Sequence, residues 1–266
     1  MNQGKVGRPF EFPDSFMRYL TVWHQWVDYR GLEGISRSLE KLGLIPYYDD
    51  YTTAWHRIHA LVPEIRLPSY KELNTGTDGT GCSKRNGGTY KEFKYGKKGG
   101  KRKYLVVTIT VDVKHKKLLK IDAHMEGKGQ PTEPEIAIKH AKELIEDGYT
   151  IKKFNGDGKY DTNETFEYWG RNKTKVAIPP RKNAKIRLTK SKFRKREIRK
   201  YRKWGYKKWR KKRGYGDRLA VEGENSGAKR EFGENLRSKT DSSACAEAIQ
   251  KFWAYDMLND YGRSHM

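Results

Sequence analysis

The sequence predicts an α/β protein in which a mixed sheet of five strands and its flanking helices follow a small all-helical region. Three observations predict this class. Apolar residues recur at three- and four-residue steps up to about residue 61, as on amphipathic helices. The period changes to two in Tyr104–Val113, as in a strand. Strand-like and helix-like segments then alternate beyond residue 130.

Residues 1–65 are predicted to form an N-terminal arm and a helical DNA-binding region. The arm would be residues 1–15, where Gly7-Arg8-Pro9 is similar to arms that enter the minor groove. Three short helices with tight connections suit a helix-turn-helix unit, and a helical cap on the next domain is the alternative. In the first case the third helix would expose Thr53, His56 and Arg57 to DNA. The predicted helices are Ser15–Tyr29, Leu32–Leu42 and Asp50 to Leu61.

Residues 66–266 predict one further domain, with a basic insertion at 181–213. A hairpin joins Tyr104–Val113 to Leu118–Met125, and a strand before it carries Thr77-Asp78-Gly79-Thr80. Three antiparallel strands followed by helical crossovers are the order of elements in a ribonuclease-H-like fold. The crossover elements are a helix at Pro134–Asp147, a strand at Ile151–Phe154, a helix at Asn163–Trp169 and a strand at Lys175–Ile178.

The positive charge of the chain is concentrated in one segment. Residues 181–213 hold nineteen Lys or Arg residues and one acid, Glu197, and so carry most of the net charge of +24. A charge of this size indicates binding to nucleic acid more than to an anionic membrane. Aromatic residues lie among the cations and can stack on unpaired bases. The alternative is a basic helix whose aromatic rings pack back on the protein.

Several other classes are disfavoured by the composition. The sequence contains no run of about 18 apolar residues, so no transmembrane helix is predicted. The first residues have no apolar stretch of the signal-peptide type. Cys82 and Cys245 form neither a C-x2-C pair nor a disulfide framework. The chain is therefore expected to be intracellular.

Four residues near the C-terminus have the spacing Y-x2-R-x3-E-x6-K. On an α-helix of about 100° per residue they would fall within roughly 60° of one another. That face would carry a carboxylate that can hold a divalent metal and cations that can hold phosphate. Gly216, Gly223 and Gly227 weaken the helix, which would be broken or formed only on DNA. The four residues are Tyr215, Arg218, Glu222 and Lys229.

Three acidic residues are expected to converge on this face. Asp78 lies on the predicted first strand, Asp157 just after the fourth, and Glu222 on the helix beyond the fifth. In a ribonuclease-H-like sheet the first and fourth strands are neighbours, and that helix packs over their ends. Mg²⁺ prefers hard oxygen ligands, so three carboxylates and a substrate phosphate suit two ions. Glu224 is the reserve for the third ligand.

Three motifs together resemble those of insertion-sequence DDE transposases. Thr77-Asp78-Gly79-Thr80-Gly81 resembles the motif of the first aspartate, and Asp157-Gly158-Lys159-Tyr160-Asp161 resembles the second, D-x-x-Y-D. The resemblance runs from about Asn74 to Tyr255, with the motifs in the expected order. The third motif resembles the Y-R-E-K signature, here Tyr215, Arg218, Glu222 and Lys229.

The resemblance implies a metal-dependent enzyme that cuts DNA at transposon ends and joins the 3′ hydroxyl to target DNA. It implies Asp78, Asp157 and Glu222 as catalytic residues and as ligands of two Mg²⁺ ions, for which Mn²⁺ could substitute. The partners it implies are double-stranded DNA, as terminal inverted repeats and target, and a second copy of the chain. It places the protein in the cytoplasm of a prokaryote, at the nucleoid. Contacts to DNA phosphates would come from Tyr215, Arg218 and Lys229.

Two other functions stay open at this point. A structure-specific nuclease of the same fold would cut DNA without strand transfer. A non-catalytic protein that binds DNA or RNA, derived from a transposase, is the alternative from another class. The complete set of Asp78, Asp157 and Glu222 argues against the second, because a protein without catalysis has no chemical need for all three.

Overall fold

A mixed sheet of six strands forms the centre of the protein in a computed structural model, which describes residues 9–84 and 104–264. The strand order is β3-β2-β1-β4-β5, and β6 pairs with the end of β1. The ribonuclease-H-like fold with its five strands is thus confirmed, and a sixth strand of two residues is added. The strands are β1 (Glu72–Lys84), β2 (Tyr104–Asp112), β3 (Lys117–Met125), β4 (Thr150–Asn155), β5 (Lys175–Ala177) and β6 (Asn235–Leu236).

The pairing pattern sets the direction in which each strand ends. The first three strands are antiparallel neighbours, whereas β4 runs parallel to β1, and β5 runs parallel to β4. The carboxyl ends of β1 and β4 therefore point to the same edge of the sheet. Helices connect and cover these strands: α4 (Glu133–Glu146), α5 (Asn163–Arg171), α6 (Lys192–Arg213), α7 (Leu219–Phe232) and α8 (Asp241–Ser264).

Apolar side chains form a core on each face of the sheet. Leu118 and Leu119 are consecutive in β3 and belong to different core clusters, because neighbouring strand residues point to opposite faces. Val221 of α7 and Phe252 of α8 pack on one face. The other face is covered by α4 and α5 through residues such as Leu144. The sheet is thus held between two layers of helices.

The N-terminal region is helical, as predicted, with somewhat different boundaries. Its third helix does not present the expected row of exposed residues. Arg57 is buried, with Nη2 2.6 Å from Oδ1 of Asp14, and it also donates to the carbonyl of Phe12. Thr53 is partly buried, whereas His56 is exposed. The exposure of Arg57 was wrongly predicted, because sequence periodicity does not reveal an acid 43 residues away. The helices are α1 (Asp14–Trp23), α2 (Tyr29–Lys41) and α3 (Tyr51–Ala60).

This N-terminal region packs against the last helix. Gln250 of α8 donates to the carbonyl of Ile58 at 2.8 Å, and Trp253 donates to the carbonyl of Glu64 at 3.1 Å. Arg237 donates to the carbonyl of Val27 at 3.2 Å. These contacts are those of a helical cap, and binding of DNA by the region stays a prediction. Residues 1–8 of the predicted arm lie outside the described residues.

None of the helices in residues 9–84 and 104–264 is both long and apolar enough to cross a membrane.

Candidate active site

Asp78 lies within β1, and Asp157 lies just beyond the end of the neighbouring strand β4. The pairing of β1 with β4 places Gly76 opposite Asn155, and each aspartate follows its paired residue by two positions. Because the two strands are parallel and β4 ends at Asn155, Asp157 emerges from the end of β4 beside Asp78, which lies in the middle of the longer β1. Asp157 begins a 3-10 turn (Gly158–Tyr160), and its Oδ1 atom accepts a hydrogen bond from the Lys159 amide at 2.7 Å. Register alone therefore brings these two residues together.

Glu222 lies near the start of α7, a helix that packs on β1. Gly76 makes that packing possible, because a Cβ atom there would lie 2.5 Å from Cγ2 of Val221. Glu222 follows Val221 directly, and its side chain is 42% exposed. It faces solvent at the site, whereas Val221 is fully buried beneath the helix.

The guanidinium of Arg218 joins the acidic residues. Its Nη1 atom lies 2.6 Å from Oε1 of Glu222, and its Nη2 atom lies 3.7 Å from Oδ2 of Asp78. Burial raises the pKa of the Asp78 carboxyl, which Arg218 opposes and the charge of Asp157 reinforces. The arginine is therefore the counter-charge of this acidic cluster.

The Y-R-E-K residues do not lie on one α-helix, which corrects the predicted stripe. Tyr215–Arg218 forms a 3-10 turn, and α7 begins only at Leu219. Tyr215 is near Arg218 and Glu222, and burial raises the pKa of its hydroxyl. Lys229 lies near the end of α7, and its Nζ atom donates to the carbonyl of Gly81, three residues beyond Asp78 in β1, at 2.7 Å. The structure therefore groups three of the four residues and places the lysine apart.

Glu224, the reserve for the third ligand, belongs to another environment. It is buried, and its charged neighbours are Asp256 and Arg263 of α8 together with Lys116 and Lys117. Burial, with the charge of Asp256, raises its pKa to about 7. Its place in the core between helices does not suit a ligand of the Asp78 cluster.

Three residues near the acids were given no role from the sequence, although Lys159 and Tyr160 belong to the second motif. Glu133 begins α4, Lys159 follows Asp157, and Tyr160 is buried below them. The Lys159 Nζ atom lies 2.9 Å from Oε1 of Glu133. A signal for Glu133 does exist, because Thr132 and Glu135 form a capping box that fixes the start of α4. Its distance from Asp78 along the chain hid its place in the site.

The acidic residues offer the type of ligand atom that a divalent cation prefers. Carboxylate oxygens are the hard ligands that Mg²⁺ takes. Within residues 9–84 and 104–264, however, no three acidic, His or Cys side chains are grouped so that they could hold a metal ion. Arg218 holds Glu222 in an ion pair and places positive charge beside Asp78. A cation at this site would therefore compete with the guanidinium.

The basic segment lies next to this site as a bent helix. In α6 the backbone turns at Gly205, which has a φ of 70°, a value that glycine adopts without strain. Glu197 accepts from Nε1 of Trp209 at 2.7 Å and also pairs with Arg213, which closes the two halves on each other. The Trp209 ring lies 5.4 Å from that of Tyr215. Trp209 is fully buried, so this ring packs on the protein, as in the alternative interpretation of the segment.

A ribonuclease-H-like sheet with acidic residues where β4 ends beside β1, next to a strongly cationic helix, defines a protein that processes nucleic acid. Comparison with protein families specifies the class further. Residues 71–257 match the family model described as Transposase DDE domain. This match spans well over half of the chain, which therefore belongs to the DDE transposase family. No curated protein matches the sequence.

Proposed function

We propose that this transposase cleaves DNA at transposon ends and joins the freed 3′ hydroxyl to target DNA in a metal-dependent reaction. The observation that supports this best is the position of Arg218, which pairs with Glu222 and lies 3.7 Å from Asp78, whose carboxyl in turn is influenced by the charge of Asp157. In this proposal these three carboxylates are the catalytic residues. They would hold two Mg²⁺ ions, with Mn²⁺ as a substitute.

When bound, divalent cations would activate water or a 3′ hydroxyl and stabilise the leaving oxygen. The protein's part is to position the acids. The register of β1 with β4 fixes Asp78 and Asp157, and the hydrogen bond from the Lys159 amide orients the Asp157 carboxylate. In the absence of a cation, Arg218 balances the charges of Glu222 and Asp78. On binding of DNA it would exchange the carboxylates for a phosphate, to which a guanidinium donates in a bidentate manner.

Contacts to DNA would extend from the site in two directions. Tyr215 and Arg218 lie beside the acids and would bind phosphates near the scissile bond. Lys229 would bind the backbone further along β1. The basic insertion 181–213 would hold the flanking duplex, because its lysines and arginines project from a helix braced by Glu197. The N-terminal helices, residues 1–65, would add contacts to the inverted repeat.

The wider setting follows from this activity. A homodimer would pair the two transposon ends, and the protein would act at the nucleoid in a prokaryotic cytoplasm. The strongest alternative is a nuclease of the same fold that does not transfer strands. A protein that only binds DNA or RNA is the second alternative, and the arrangement of the acids favours the enzyme over it.

Nicking of supercoiled plasmid at fixed low salt, with Mg²⁺ or Mn²⁺, tests the proposal. Wild type should nick in the presence of either metal, and Asp157→Ala and Glu222→Ala should both be inactive. Asp161→Asn is unsuitable as a control, because Asp161 forms a buried ion pair with Arg194. Glu231→Ala is suitable, because this acid is exposed at the far end of α7.

Two further results separate the alternatives. Joining of pre-cut DNA ends to a target would distinguish the transposase from a nuclease. Tight DNA binding without nicking or joining, even with inverted-repeat substrates, would favour the protein that only binds nucleic acid.

A further inference from the structure

Lys153 is the lysine of β4 that faces the turn ahead of α7. The pairing of β1 with β4 is irregular between Leu73 and Asn74, where β4 has one residue more than β1. Such a bulge changes the face to which the following side chains point. Phe154 accordingly follows Ile151 by three positions, yet both belong to one core cluster. Lys153 therefore points to the opposite face of the sheet, the face on which α7 packs.

The Nζ atom of Lys153 binds this turn at two points. It donates to the carbonyl of Gly214 at 2.9 Å and to Oδ2 of Asp217 at 2.7 Å. Gly214 caps the end of α6 with a φ of 57° and directly precedes the 3-10 turn Tyr215–Arg218. A Cβ atom at Gly214 would lie 2.9 Å from this Nζ atom, so the ammonium group lies close to the backbone. Lys153 thus joins β4 to the start and the end of the turn that carries Arg218.

The two ends of the turn are held by different groups. At its start the Tyr215 ring packs on Trp209 of α6. At its end the Asp217 carboxylate, immediately before Arg218, has Lys153 as its partner, and the lysine side chain is only 16% exposed. Among residues 9–84 and 104–264, no other side chain hydrogen-bonds to residues 214–217. Loss of the lysine would therefore release the half of the turn that carries Arg218.

We propose that Lys153 is a positioning residue for Arg218 and affects DNA cleavage through this arginine. This inference rests on the function proposed above, in which Arg218 binds the phosphate near the scissile bond. The ammonium group of Lys153 is occupied by Gly214 and Asp217, so its role is to place the turn. Placement matters for the rate, because a shift of about 1 Å in a group that orients the substrate can cost about 100-fold.

Nicking of supercoiled plasmid with Mn²⁺ measures the effect on the reaction. Lys153→Met should slow nicking at saturating DNA by about 10- to 100-fold, with the affinity for duplex DNA unchanged. Lys152→Met is the matched control, because Lys152 is the neighbouring lysine and its side chain is 53% exposed in an ion pair with Glu72. It should nick at the rate of the wild type. Lys153→Arg keeps donors for both acceptors and should restore most of the rate.

Two further variants test whether the effect passes through Arg218. Adding Lys153→Met to Arg218→Ala should slow nicking no further, because effects that pass through one group are not additive. The same fold-loss in both backgrounds would overturn the proposal. Asp217→Ala removes the contact from its more exposed side, where the side chain is 52% exposed, and should slow nicking as Lys153→Met does. Circular dichroism of each variant would establish that it is folded.

The position of Arg218 can also be followed without cleavage. Its Nε atom is buried, which slows exchange of the attached hydrogen with water, so this group should give a signal in a ¹⁵N correlation spectrum. Absence of the signal in Arg218→Ala identifies it. It should move or broaden in Lys153→Met and Asp217→Ala but not in Lys152→Met. An unchanged signal in Lys153→Met and Asp217→Ala would show that Lys153 does not place the arginine.

Arg218→Ala separates this inference from the proposed function. If Arg218→Ala slows nicking and Lys153→Met does not, the role of Lys153 is wrong and the proposed function is unaffected. If Arg218→Ala nicks as the wild type does, the role of Arg218 in the proposed function is wrong, and this inference fails with it. Loss of rate in Lys153→Met, but not in Lys152→Met, is the result that we expect.

Discussion

The Nη1 atom of Arg218 lies 2.6 Å from Oε1 of Glu222, within the family's Y-R-E-K signature. The same guanidinium reaches Asp78, with Nη2 3.7 Å from Oδ2. An arginine thus occupies the centre of the cluster to which we assign catalysis. Because its charge is already paired, a cation or a phosphate can enter only by changing those pairs. This competition makes the first prediction.

Arg218→Ala should raise the affinity of the DNA-free protein for Mn²⁺ and at the same time slow DNA cleavage. Affinity should rise because Glu222 and Asp78 lose their competing cation. Cleavage should fall by about 100-fold, the usual effect of removing one donor to developing charge. Arg230→Ala is the control, because Arg230 is an exposed arginine of α7, the helix that follows Arg218. A parallel fall in Mn²⁺ affinity and cleavage would show that Arg218 does not compete with the metal.

The second prediction concerns the single acid of the basic segment. If net charge alone decided DNA affinity, Glu197→Ala would strengthen binding, because the substitution removes one negative charge. The structure predicts the opposite, since Glu197 is the buried acceptor for Trp209 and Arg213. Each buried donor left without a partner costs about 1–3 kcal/mol. The two halves of α6 should therefore separate and hold DNA less well.

Fluorescence anisotropy with duplex DNA, together with hydrogen exchange over residues 192–213, would measure this effect. Glu231→Ala changes the net charge equally but lies exposed on α7. It should leave the exchange of α6 unchanged. If Glu197→Ala bound DNA more tightly and exchanged no faster, the bracing role of Glu197 would be wrong.

The third prediction compares two glycines of α7. A Cβ atom at Gly227 would lie 2.0 Å from the Tyr255 hydroxyl, whereas one at Gly223 would meet nothing within 4 Å. Gly227→Ala should therefore lower the free energy of unfolding by about 1–3 kcal/mol through overpacking against α8. Gly223→Ala should raise it by about 0.5–1 kcal/mol, because alanine favours the helix. Urea unfolding of both variants measures the difference, and equal signs would contradict the packing of α7 on α8.

The fourth prediction is a pH dependence of opposite sign at two neighbouring aspartates. Asp49 is 2% exposed, and burial, with the charge of Asp50, raises its pKa to about 7. The folded protein binds this proton more tightly than the unfolded chain does. The contribution of Asp49 to stability is therefore greatest in acid and is lost as the pH rises from about 4 through about 7. Asp49→Asn should remove this loss, so that its stability relative to wild type increases over that range.

Asp50 should behave in the opposite way. It caps α3, and hydrogen bonds from Thr52, with those from Thr53, lower its pKa to about 2 against the cost of partial burial. Its stabilising effect is present above about pH 4 and is lost as the pH falls toward 2. Asp50→Ala should cost about 1 kcal/mol near neutral pH, as for other caps, and less in acid. Thermal unfolding across this pH range measures both variants; the same pH trend in both would be inconsistent with the two environments.

The order of the elements could be predicted because its signals are local. The alternation of Val107, Ile109 and Val111 identifies β2 within nine residues of sequence. Caps such as Asp50, with its hydrogen bonds to the next turn, mark the start of a helix. The acidic motifs were placed on the correct elements for the same reason, since each motif includes the turn or strand that carries it.

Interactions between distant residues could not be predicted in this way. The ion pair of Arg57 with Asp14, the fold of α6 upon Glu197 and the contact of Glu133 with Gly79 join residues far apart in sequence. The contact of Val221 in α7 with Gly76 in β1 likewise joins residues far apart in sequence. The sequence by itself determined the class of protein, the elements and the acidic residues that they carry. Only the tertiary structure decided that Arg218 lies among those acids and that Glu133 joins them, because both follow from the close approach of backbones and not from any local period.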